Sequence, residues 1–321
     1  MKMKLGLNIV CATAVSLCAL LGSVANADLY IGTFWGGGVY HLSDTGQKIN
    51  SNGGIGTCSE IAFGPDGNLY VNDTNHNMIT KLNPTTMEDM GDVYNAGSSA
   101  MGGVTFGSDG DIYVALAAVN GDWNTRRLVH IAGPTKSNAF TELAPAVDNV
   151  WPLWNPGTLA AAPNGDFYIY DYNDYNGSIQ HWHGIEVLGY IYEKFNPVVG
   201  PDGNVYVGVN RYQGANGTSP DALIGQFLDL TGSGMGTPSI LAFNPADGDV
   251  YANDGTRLCR FGGIGKANEG KYVSTIISDL GAAGIGGSRY MVFTPSVPEP
   301  GSIVALVFGL FGAGAIYRRK K

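Results

Sequence analysis

One short pattern occurs five times in the chain, and this repeat limits the fold more than any other feature. Each copy is an apolar strand, a tight turn containing Asp-Gly or Asn-Gly, and a second strand of mostly apolar residues. Asp-Gly and Asn-Gly tolerate the positive φ angles of hairpin turns, and the β-branched and aromatic residues beside them favour strands. The copies span residues 61–73, 104–115, 159–170, 198–208 and 241–252.

The spacing of these hairpins, near 40 residues, predicts a β-propeller, whose blades are four-stranded sheets of about that length. A sixth copy is split between the two ends of the body. Residues 28–32 match the second strand of the repeat, and residues 289–295 match its missing first strand. We therefore expect an all-β, six-bladed β-propeller that is closed by a C-terminal strand in the N-terminal blade, which removes an open sheet edge.

The repeat has a hydrophobic-Gly-Pro-Asp-Gly-Asn-hydrophobic-Tyr-Val core, and further strands are predicted at residues 78–82 and 257–261. This pattern resembles the NHL-repeat and gluconolactonase-like superfamily of six-bladed propellers. The resemblance implies that the inner strands line a central channel and descend from a functional face. That face would be built by the loops that lead into the inner strands and by the loops between second and third strands. The Asp-Gly turns would lie on the opposite face.

Aromatic residues are frequent in the loops that this plan assigns to the functional face, which are residues 33–38, 73–77, 118–125, 148–155, 171–177, 210–219 and 253–256. Aromatic rings beside Asn and Asp side chains suit sugars, whose apolar faces stack while their hydroxyls form hydrogen bonds at the ring edge. The alternative is that most of these rings pack between blades or stabilise loops. The predicted ligand-binding residues are Trp35, Trp123, Trp151, Trp154, Tyr172, Tyr175 and Tyr212.

The channel mouth offers few ligands for a catalytic metal. In gluconolactonase-type enzymes a Glu early in one inner strand and Asn or Asp residues from other blades hold a divalent metal, and Glu60 and Asn196 fit those positions. A metal cage requires several converging oxygen ligands. We also expect Arg289 to lie near Glu60 at the same opening, as a structural ion pair. The corresponding positions in the other blades are Gly103, Thr158, Ile240 and Tyr290, which disfavours a metalloenzyme.

Two further motifs carry weak chemical signals. Residues 171–177 place oxygen side chains at alternating positions and could bind Ca²⁺, but they lack the distal Glu of an EF-hand loop, so a solvated turn is favoured. His181 and His183 flank Trp182 and should share one face of a strand, where they could bind a metal or act as acid and base, as in streptogramin-lyase relatives. A surface strand without chemistry is the favoured interpretation. The sequence contains no G-x-S-x-G, Walker, Rossmann or H-E-x-x-H motif.

Both ends of the chain read as targeting segments. Lys2 and Lys4, an apolar run at 5–21 and the small residues at 25–27 predict a signal peptide over residues 1–27, so the mature chain should begin at Asp28. At the other end an apolar run at 303–317 is followed by four basic residues. The motif that precedes this run is Val297, Pro298, Glu299 and Pro300.

This C-terminal arrangement resembles the PEP-CTERM sorting signal of bacterial exported proteins. The resemblance implies a temporary inner-membrane anchor over residues 297–321, which an exosortase-type membrane protease cuts near the Pro-Glu-Pro motif. The propeller, residues 28–296, would then be extracellular or on the cell surface, without residues 308–321. The alternative is an ordinary single-span tail anchor.

The charge of the body disfavours one class of partner, and its two cysteines raise the question of a disulfide. The two predicted ends hold six of the 18 basic residues and one of the 27 acidic ones, so the body has 12 basic and 26 acidic residues and a net charge of about −14 at neutral pH. Such a body is an improbable nucleic-acid partner, since phosphate binding requires clustered Lys and Arg. Cys58 and Cys259 could form a disulfide in an exported protein, but they fall in different blades, which favours two buried free thiols.

The sequence therefore supports two hypotheses about the function of the protein. The first is a non-catalytic extracellular propeller that binds polysaccharide or another matrix component in an exopolysaccharide or biofilm setting. The second is a secreted gluconolactonase-like hydrolase or lyase that acts on a lactone or a sugar. The absence of a convergent ionisable cluster in the sequence favours the first, with no cofactor other than the Ca²⁺ considered above.

Overall fold

The computed structural model describes residues 27–34, 37–97, 101–116, 127–143, 147–148, 156–172, 177–184 and 186–295. All of these belong to one compact unit, Ala27–Pro295. The predicted sorting signal and the predicted signal peptide, except for Ala27, lie outside the described residues. Within the described ranges no helix has the length and apolar character needed to cross a bilayer.

The described residues form six antiparallel sheets of four strands each. The strands in chain order are β1 (Leu29–Thr33), β2 (Val39–Leu42), β3 (Lys48–Asn52), β4 (Cys58–Phe63), β5 (Leu69–Asp73), β6 (Met78–Leu82), β7 (Asp89–Asn95), β8 (Met101–Phe106), β9 (Ile112–Leu116), β10 (Arg127–Ile131), β11 (Val147–Asp148), β12 (Pro156–Ala161), β13 (Phe167–Asp171), β14 (Ser178–His183), β15 (Glu186–Ile191), β16 (Val198–Val199), β17 (Val205–Val207), β18 (Asn210–Tyr212), β19 (Leu223–Gln226), β20 (Ile240–Phe243), β21 (Val250–Asn253), β22 (Leu258–Phe261), β23 (Tyr272–Ile277) and β24 (Ser288–Phe293).

The six sheets are the blades of a six-bladed β-propeller, as the repeat predicts. The first blade has the strand order β24-β1-β2-β3, and the second to sixth blades are consecutive groups of four strands that start at β4, β8, β12, β16 and β20. The strands that come first in these orders contact one another around a closed ring, in the sequence β24, β4, β8, β12, β16, β20 and back to β24. They are therefore the inner strands that surround the central channel.

The first blade is closed by strands from opposite ends of the body, which confirms the predicted closure. β1 pairs antiparallel with β24, and the register places Leu29 opposite Phe293 and Ile31 opposite Met291. Beyond the strand ends, the Thr294 amide donates to the Asp28 carbonyl at 2.9 Å, and the Asp28 amide donates to Thr294 Oγ1 at 2.9 Å. The ladder thus continues beyond both strands to Asp28 and Thr294.

The turn motif of the repeat forms a specific hydrogen-bonded unit. Gly67 in the second blade has φ of 76°, which a glycine adopts without strain. The preceding Asp66 accepts hydrogen bonds from the Asn68 amide at 3.3 Å and from the Tyr70 hydroxyl at 3.0 Å. The same aspartate-to-tyrosine bond recurs in the third and fifth blades, each at 2.9 Å. The aspartate therefore ties the turn to the second strand, and the glycine allows the chain to reverse.

A tyrosine in each second strand lies directly opposite a basic residue of the third strand, a pattern that recurs in all six blades. The pairs are Tyr30 and His41, Tyr70 and Lys81, Tyr113 and His130, Tyr168 and His181, Tyr206 and Arg211, and Tyr251 and Arg260. In the first, third and fourth blades the two rings stack with centroids 4.5 to 4.6 Å apart. We call these the tyrosine–base pairs.

The tyrosines of these pairs also make contacts between blades. Tyr70 packs edge-on against Phe106 of the third blade with centroids 4.9 Å apart, and Tyr251 packs in the same way against Phe293 at 4.8 Å. The Tyr30 hydroxyl donates to the Pro84 carbonyl of the second blade. Buried aromatic pairs of this geometry contribute about 0.5–1.5 kcal/mol beyond their buried area. One repeated residue type therefore joins successive blades.

The structure corrects the sequence analysis in the fifth blade and confirms it for the cysteines. Only Gly208 and Val209 separate β17 from β18, so residues 210–212, expected in a loop, form a strand. The chain turns at Gly208, whose φ is 57°, whereas the sequence pattern predicts the loop later in the chain. Cys58 and Cys259 are buried and free, as expected.

His181 is buried, so the expectation of a surface strand for β14 is wrong at this position. Its side chain is 1 % exposed, whereas that of His183 is 66 % exposed. Nε2 of His181 lies 2.9 Å from Asp166 and Nδ1 lies 3.1 Å from Asp221 of the fifth blade. Both ring nitrogens face carboxylates, which only accept, so His181 must carry both protons. Burial by itself would lower the pKa of His181, but the bonds to Asp221 and Asp166 raise it above its ordinary value.

We predict that β24 is required for cooperative folding. A protein that ends at Gly284 lacks the buried Tyr290, Met291 and Phe293, each worth roughly 1.5–3 kcal/mol of burial. Their sum is comparable to the net stability of a typical domain. Thermal unfolding followed by circular dichroism should show a cooperative transition for a protein of residues 28–296 and none for one of residues 28–284. Equal melting temperatures would contradict the closure.

We also predict that the contribution of His181 to stability depends on pH. Because its folded pKa is raised, this contribution is complete below the unfolded pKa of about 6.5 and is lost as the pH rises through the folded pKa. Urea unfolding should therefore show a larger loss for His181→Gln at about pH 6 than at about pH 9. His183→Gln is the control, because it removes the exposed neighbour of Asp166. An equal loss for His181→Gln at both pH values would refute the charged state.

Candidate functional site

In the described part of the propeller, one concave region lies inside the channel and another lies at its mouth. The channel cavity has a volume of about 370 Å³ and is lined by residues of all six inner strands. Apart from Glu60 and Thr105, the side chains that line it are apolar. The second region, which we call the mouth cleft, has a volume of about 340 Å³. It lies where the chain enters the inner strands, at the end opposite the Asp-Gly turns.

Irregular pairing near the start of three inner strands shapes the mouth end of the channel. The register shifts between Cys58 and Glu60 in β4, between Met101 and Val104 in β8, and between Pro156 and Leu159 in β12. A bulge of this kind turns backbone groups away from the ladder and re-aims the adjacent side chain. The amide hydrogens that leave the ladder in the third and fourth blades therefore need acceptors in the channel.

Glu60 is that acceptor, and it joins three blades. Its carboxylate accepts hydrogen bonds from the Val104 amide at 2.7 Å and from the Leu159 amide at 3.1 Å. Protein surrounds the carboxyl group, and this burial raises its pKa well above the usual range, although the two amides act in the opposite direction. The described partners of Glu60 are therefore main-chain amides. We interpret the role of Glu60 in these contacts as structural.

Two glycines provide the space for this arrangement. A Cβ atom at Gly103 would collide with the carboxylate of Glu60, and a Cβ atom at Gly157 would collide with the ring of Tyr172. Gly103 is the third-blade residue that corresponds to Glu60 in the repeat. Because Gly103 has no side chain, the carboxylate of Glu60 can reach the backbone of the third blade.

The other two predicted channel-mouth residues have different surroundings. Asn196 is buried, accepts a hydrogen bond from Thr158 Oγ1 at 3.0 Å, and lines the mouth cleft. The backbone of Arg289 lies in β24, next to Ser288 of the cleft. The side chain of Arg289 lies outside the described part of the structure, so its pairing with Glu60 stays a prediction.

The mouth cleft combines aromatic rings, hydroxyls and two charged side chains. Tyr172 is 42 % exposed, and its ring packs edge-on against Tyr170 with centroids 4.5 Å apart. This contact and the close approach to Gly157 fix the orientation of the exposed ring. The residues that line the cleft are Tyr170, Tyr172, Lys194, Phe195, Asn196, Ser239, Asp254, Gly255, Gly287 and Ser288.

Of the seven aromatic residues predicted to form the ligand-binding face, the structure places one in this cleft. That residue is Tyr172. Tyr212 lies in β18, is 8 % exposed, and donates its hydroxyl to Glu193 at 2.6 Å, so it offers no free platform. The others, Trp35, Trp123, Trp151, Trp154 and Tyr175, lie outside the described residues.

Sequence reasoning missed Lys194, Ser239 and Asp254 as site residues. Lys194 and Ser239 precede inner strands β16 and β20, where the repeat has no fixed pattern, and Asp254 directly follows β21. Their position in the chain, in the connections next to these strands, is the signal that could have identified them as site residues. The plan of the fold assigns these connections to the functional face.

In the described part of the chain, one group of acidic and histidine side chains is close enough to hold a metal ion. It consists of Asp109, Asp111 and His130, at the Asp-Gly turn of the third blade. Asp111 already accepts the Gly133 amide at 2.7 Å, pairs with Lys136 at 2.6 Å, and lies 2.8 Å from His130. These contacts compensate its charge without a metal.

The sixth blade repeats this group with an arginine in place of the histidine. Asp249 accepts the Gly263 amide and pairs with Lys266 and Arg260. An arginine cannot ligate a metal, so we interpret both groups as structural. In the predicted Ca²⁺ loop, Asp171 is buried and accepts a hydrogen bond from Gln180, whereas residues 173–176 lie outside the described residues.

Comparison with known proteins identifies the fold. No family model matches the sequence, and no curated protein matches it. The structure is similar to a protein of unknown function from Bacteroides caccae, with a TM-score of 0.62 and 11 % identity over 85 % of this chain and 100 % of the other.

Two further solved structures share the architecture. A chain in a nidogen–laminin complex gives a TM-score of 0.59 at 12 % identity, over 84 % of this chain and 98 % of its own. A gluconolactonase from Xanthomonas campestris gives 0.52 at 12 % identity, over 85 % and 84 %. At these identities the likeness shows the fold alone, which is a six-bladed propeller shared with gluconolactonase-like proteins.

We predict that Glu60 stabilises the channel through the amides it accepts. Glu60→Ala leaves the Val104 and Leu159 amides without an acceptor and should lower the free energy of unfolding by about 1–3 kcal/mol. Glu60→Gln keeps an acceptor oxygen and should cost less. Urea unfolding at neutral pH measures both changes.

The control for this experiment is Glu186→Ala, since Glu186 is an exposed glutamate on the outer strand β15. A surface change of this kind should stay within about 0.5 kcal/mol. If Glu60→Ala is as stable as the parent protein, Glu60 does not hold the three blades together.

Proposed function

We propose that this protein is an exported, exosortase-processed extracellular β-propeller that binds polysaccharide through the mouth cleft and catalyses no reaction. Its setting would be exopolysaccharide or biofilm. The single observation that carries the proposal is the composition of the cleft. It presents an exposed tyrosine ring, Tyr172, beside the polar side chains of Asn196, Ser239 and Ser288.

This combination fits the two faces of a sugar. The C–H groups of a pyranose ring stack on an aromatic plane, and its hydroxyls need hydrogen-bonding groups at the edge of that plane. Tyr170 and Gly157 hold the Tyr172 ring in place from below, so little conformational entropy is lost when a ligand stacks on it. The cleft is also of the size of small-molecule sites.

The state of Glu60 supports binding over catalysis. A catalytic carboxylate must reach the reacting group, and a metal cage needs several converging oxygen ligands. Glu60 instead points at the amides of the third and fourth blades. Asn196 is bonded to Thr158.

The cellular part of the proposal is supported by the two chain ends. A signal peptide over residues 1–27 and a sorting signal over residues 297–321 would leave an extracellular propeller that begins at Asp28. The excess of acidic over basic residues in the body disfavours nucleic acid as a partner. The chain in the nidogen–laminin complex belongs to a protein–protein assembly and shares this fold, so a binding role is compatible with the architecture.

The alternative is a secreted gluconolactonase-like hydrolase or lyase that acts on a lactone or sugar. One observation favours it, since the carboxyl of Glu60 lies in the channel with a pKa raised by burial. Groups with perturbed pKa values are frequent at active sites. The gluconolactonase from Xanthomonas campestris shares the fold.

A glycan array tests the proposal directly. The full chain, purified in a mild detergent, should bind a defined set of saccharides, with Ca²⁺ and with a chelator compared in parallel. Tyr172→Ala should weaken binding about tenfold through the loss of stacking. Tyr192→Ala is the matched control, because Tyr192 is 81 % exposed and does not line the cleft.

The outcomes separate the two functions. Saccharide binding that Tyr172→Ala weakens and Tyr192→Ala leaves intact supports the binding role. Turnover of a sugar lactone that Glu60→Gln abolishes would establish the enzymatic alternative. An array without any bound saccharide would overturn the proposal.

A further inference from the structure

We propose that the mouth cleft selects an acidic polysaccharide, in which Lys194 binds the carboxylate of a uronic acid residue whose ring stacks on Tyr172. This inference rests on the proposed function and names the chemical class of its ligand. It follows from the state of the two charged side chains in the cleft, Lys194 and Asp254.

The carboxylate of Asp254 accepts hydrogen bonds from its own loop and from the connection before β20. Its Oδ1 accepts the Thr256 amide at 2.8 Å and the Arg257 amide at 2.7 Å, and its Oδ2 accepts the Gly236 amide at 2.7 Å. Burial alone would raise the pKa of Asp254, but these bonds hold it below its ordinary value. The carboxylate therefore stays ionised and serves to shape the loop, and its charge is spread over several amide dipoles.

Lys194, in contrast to Asp254, has no charged partner among the described residues. Its side chain is exposed at the cleft, and among the described residues no carboxylate lies within ion-pair distance of it. By contrast, Lys81 pairs with Asp66, Lys136 with Asp111, and Lys266 with Asp249. Lys48 and Lys271 also have no ion pair among the described residues, so the property that distinguishes Lys194 is its place in the lining of the cleft, where its charge faces the ligand space.

The ammonium group has three donors and a full positive charge, so it selects an anionic oxygen over a neutral hydroxyl. Hydrogen bonds of a charged donor to a charged acceptor are about twice as strong as those between neutral groups. A single carboxylate matches this single cation. A phosphate monoester, which carries about −1.5 to −2 charges at neutral pH, would be repelled more strongly by the ionised Asp254.

Neighbouring groups of the cleft bind the sugar ring of the ligand. Tyr172 supplies the stacking plane. The buried Ser288 hydroxyl accepts a hydrogen bond from Asn253 at 2.8 Å, which leaves its own proton for a ligand oxygen. A uronic acid residue carries its carboxylate at the edge of the ring, where Lys194 can reach it while the ring stacks.

The test compares two ligands that differ only in the carboxyl group. The probes are an oligogalacturonate and the same oligosaccharide with its carboxyl groups reduced to hydroxymethyl groups. Calorimetry on the full chain should show that the acidic form binds at least about tenfold more tightly, and that this preference shrinks as salt is added.

Variants assign the preference to Lys194. Lys194→Gln should remove the preference for the acidic form, and Lys194→Arg should retain it. The control is Lys271→Gln, which removes an exposed lysine next to the outer strand β23. It should change neither affinity.

Failure of this inference differs from failure of the proposed function. If the reduced oligosaccharide binds as tightly as the acidic one, or if Lys194→Gln keeps the preference, the selection of uronic acid is overturned and saccharide binding stands. If neither probe nor any saccharide of the array binds, the proposed function fails and the inference fails with it.

Discussion

The pairing of β1 with β24 is the contact on which the rest of the structure depends. A channel exists only when the inner strands of six blades form a closed ring, and among the described residues the strand next to β1 on the inner side of the first blade is β24. The last strand of the body thus completes the ring. Every property of the channel, including the position of Glu60 and the shape of the mouth cleft, therefore requires that the far ends of the sequence meet.

Two different devices hold the blades to one another once the ring is closed. On the turn side, the tyrosine–base pairs place an aromatic ring from one blade against the next blade, and they recur in every blade. At the mouth, a single carboxylate, that of Glu60, reaches across Gly103 to amides of two further blades. The first device is repeated and uses aromatic rings paired with basic side chains, whereas the second is a single carboxylate. The sixfold symmetry is consequently broken at the end where a ligand would bind.

The hairpins, the six blades and the shared first blade could be predicted because turn chemistry is local and each copy of the repeat carries it. The partners of Glu60 could not, since Gly103 and Gly157 suggest bulges in β8 and β12 but do not indicate which acceptor the freed amides meet. The burial of His181 was missed for a similar reason, because its second partner, Asp221, lies in another blade. Tyr172 was found from its loop position, whereas Tyr212 was misplaced because the link between β17 and β18 has two residues.

The antiparallel pairing of β1 and β24 also fixes where the chain leaves the propeller. Leu29 opens β1 opposite Phe293, and Asp28 is bonded to Thr294, so the polypeptide enters and departs at neighbouring points on the turn face. The mouth cleft lies at the other end of the axis. Asp28 and Thr294 therefore both lie on the face opposite the cleft, so the first and last described strands begin and end away from a bound ligand.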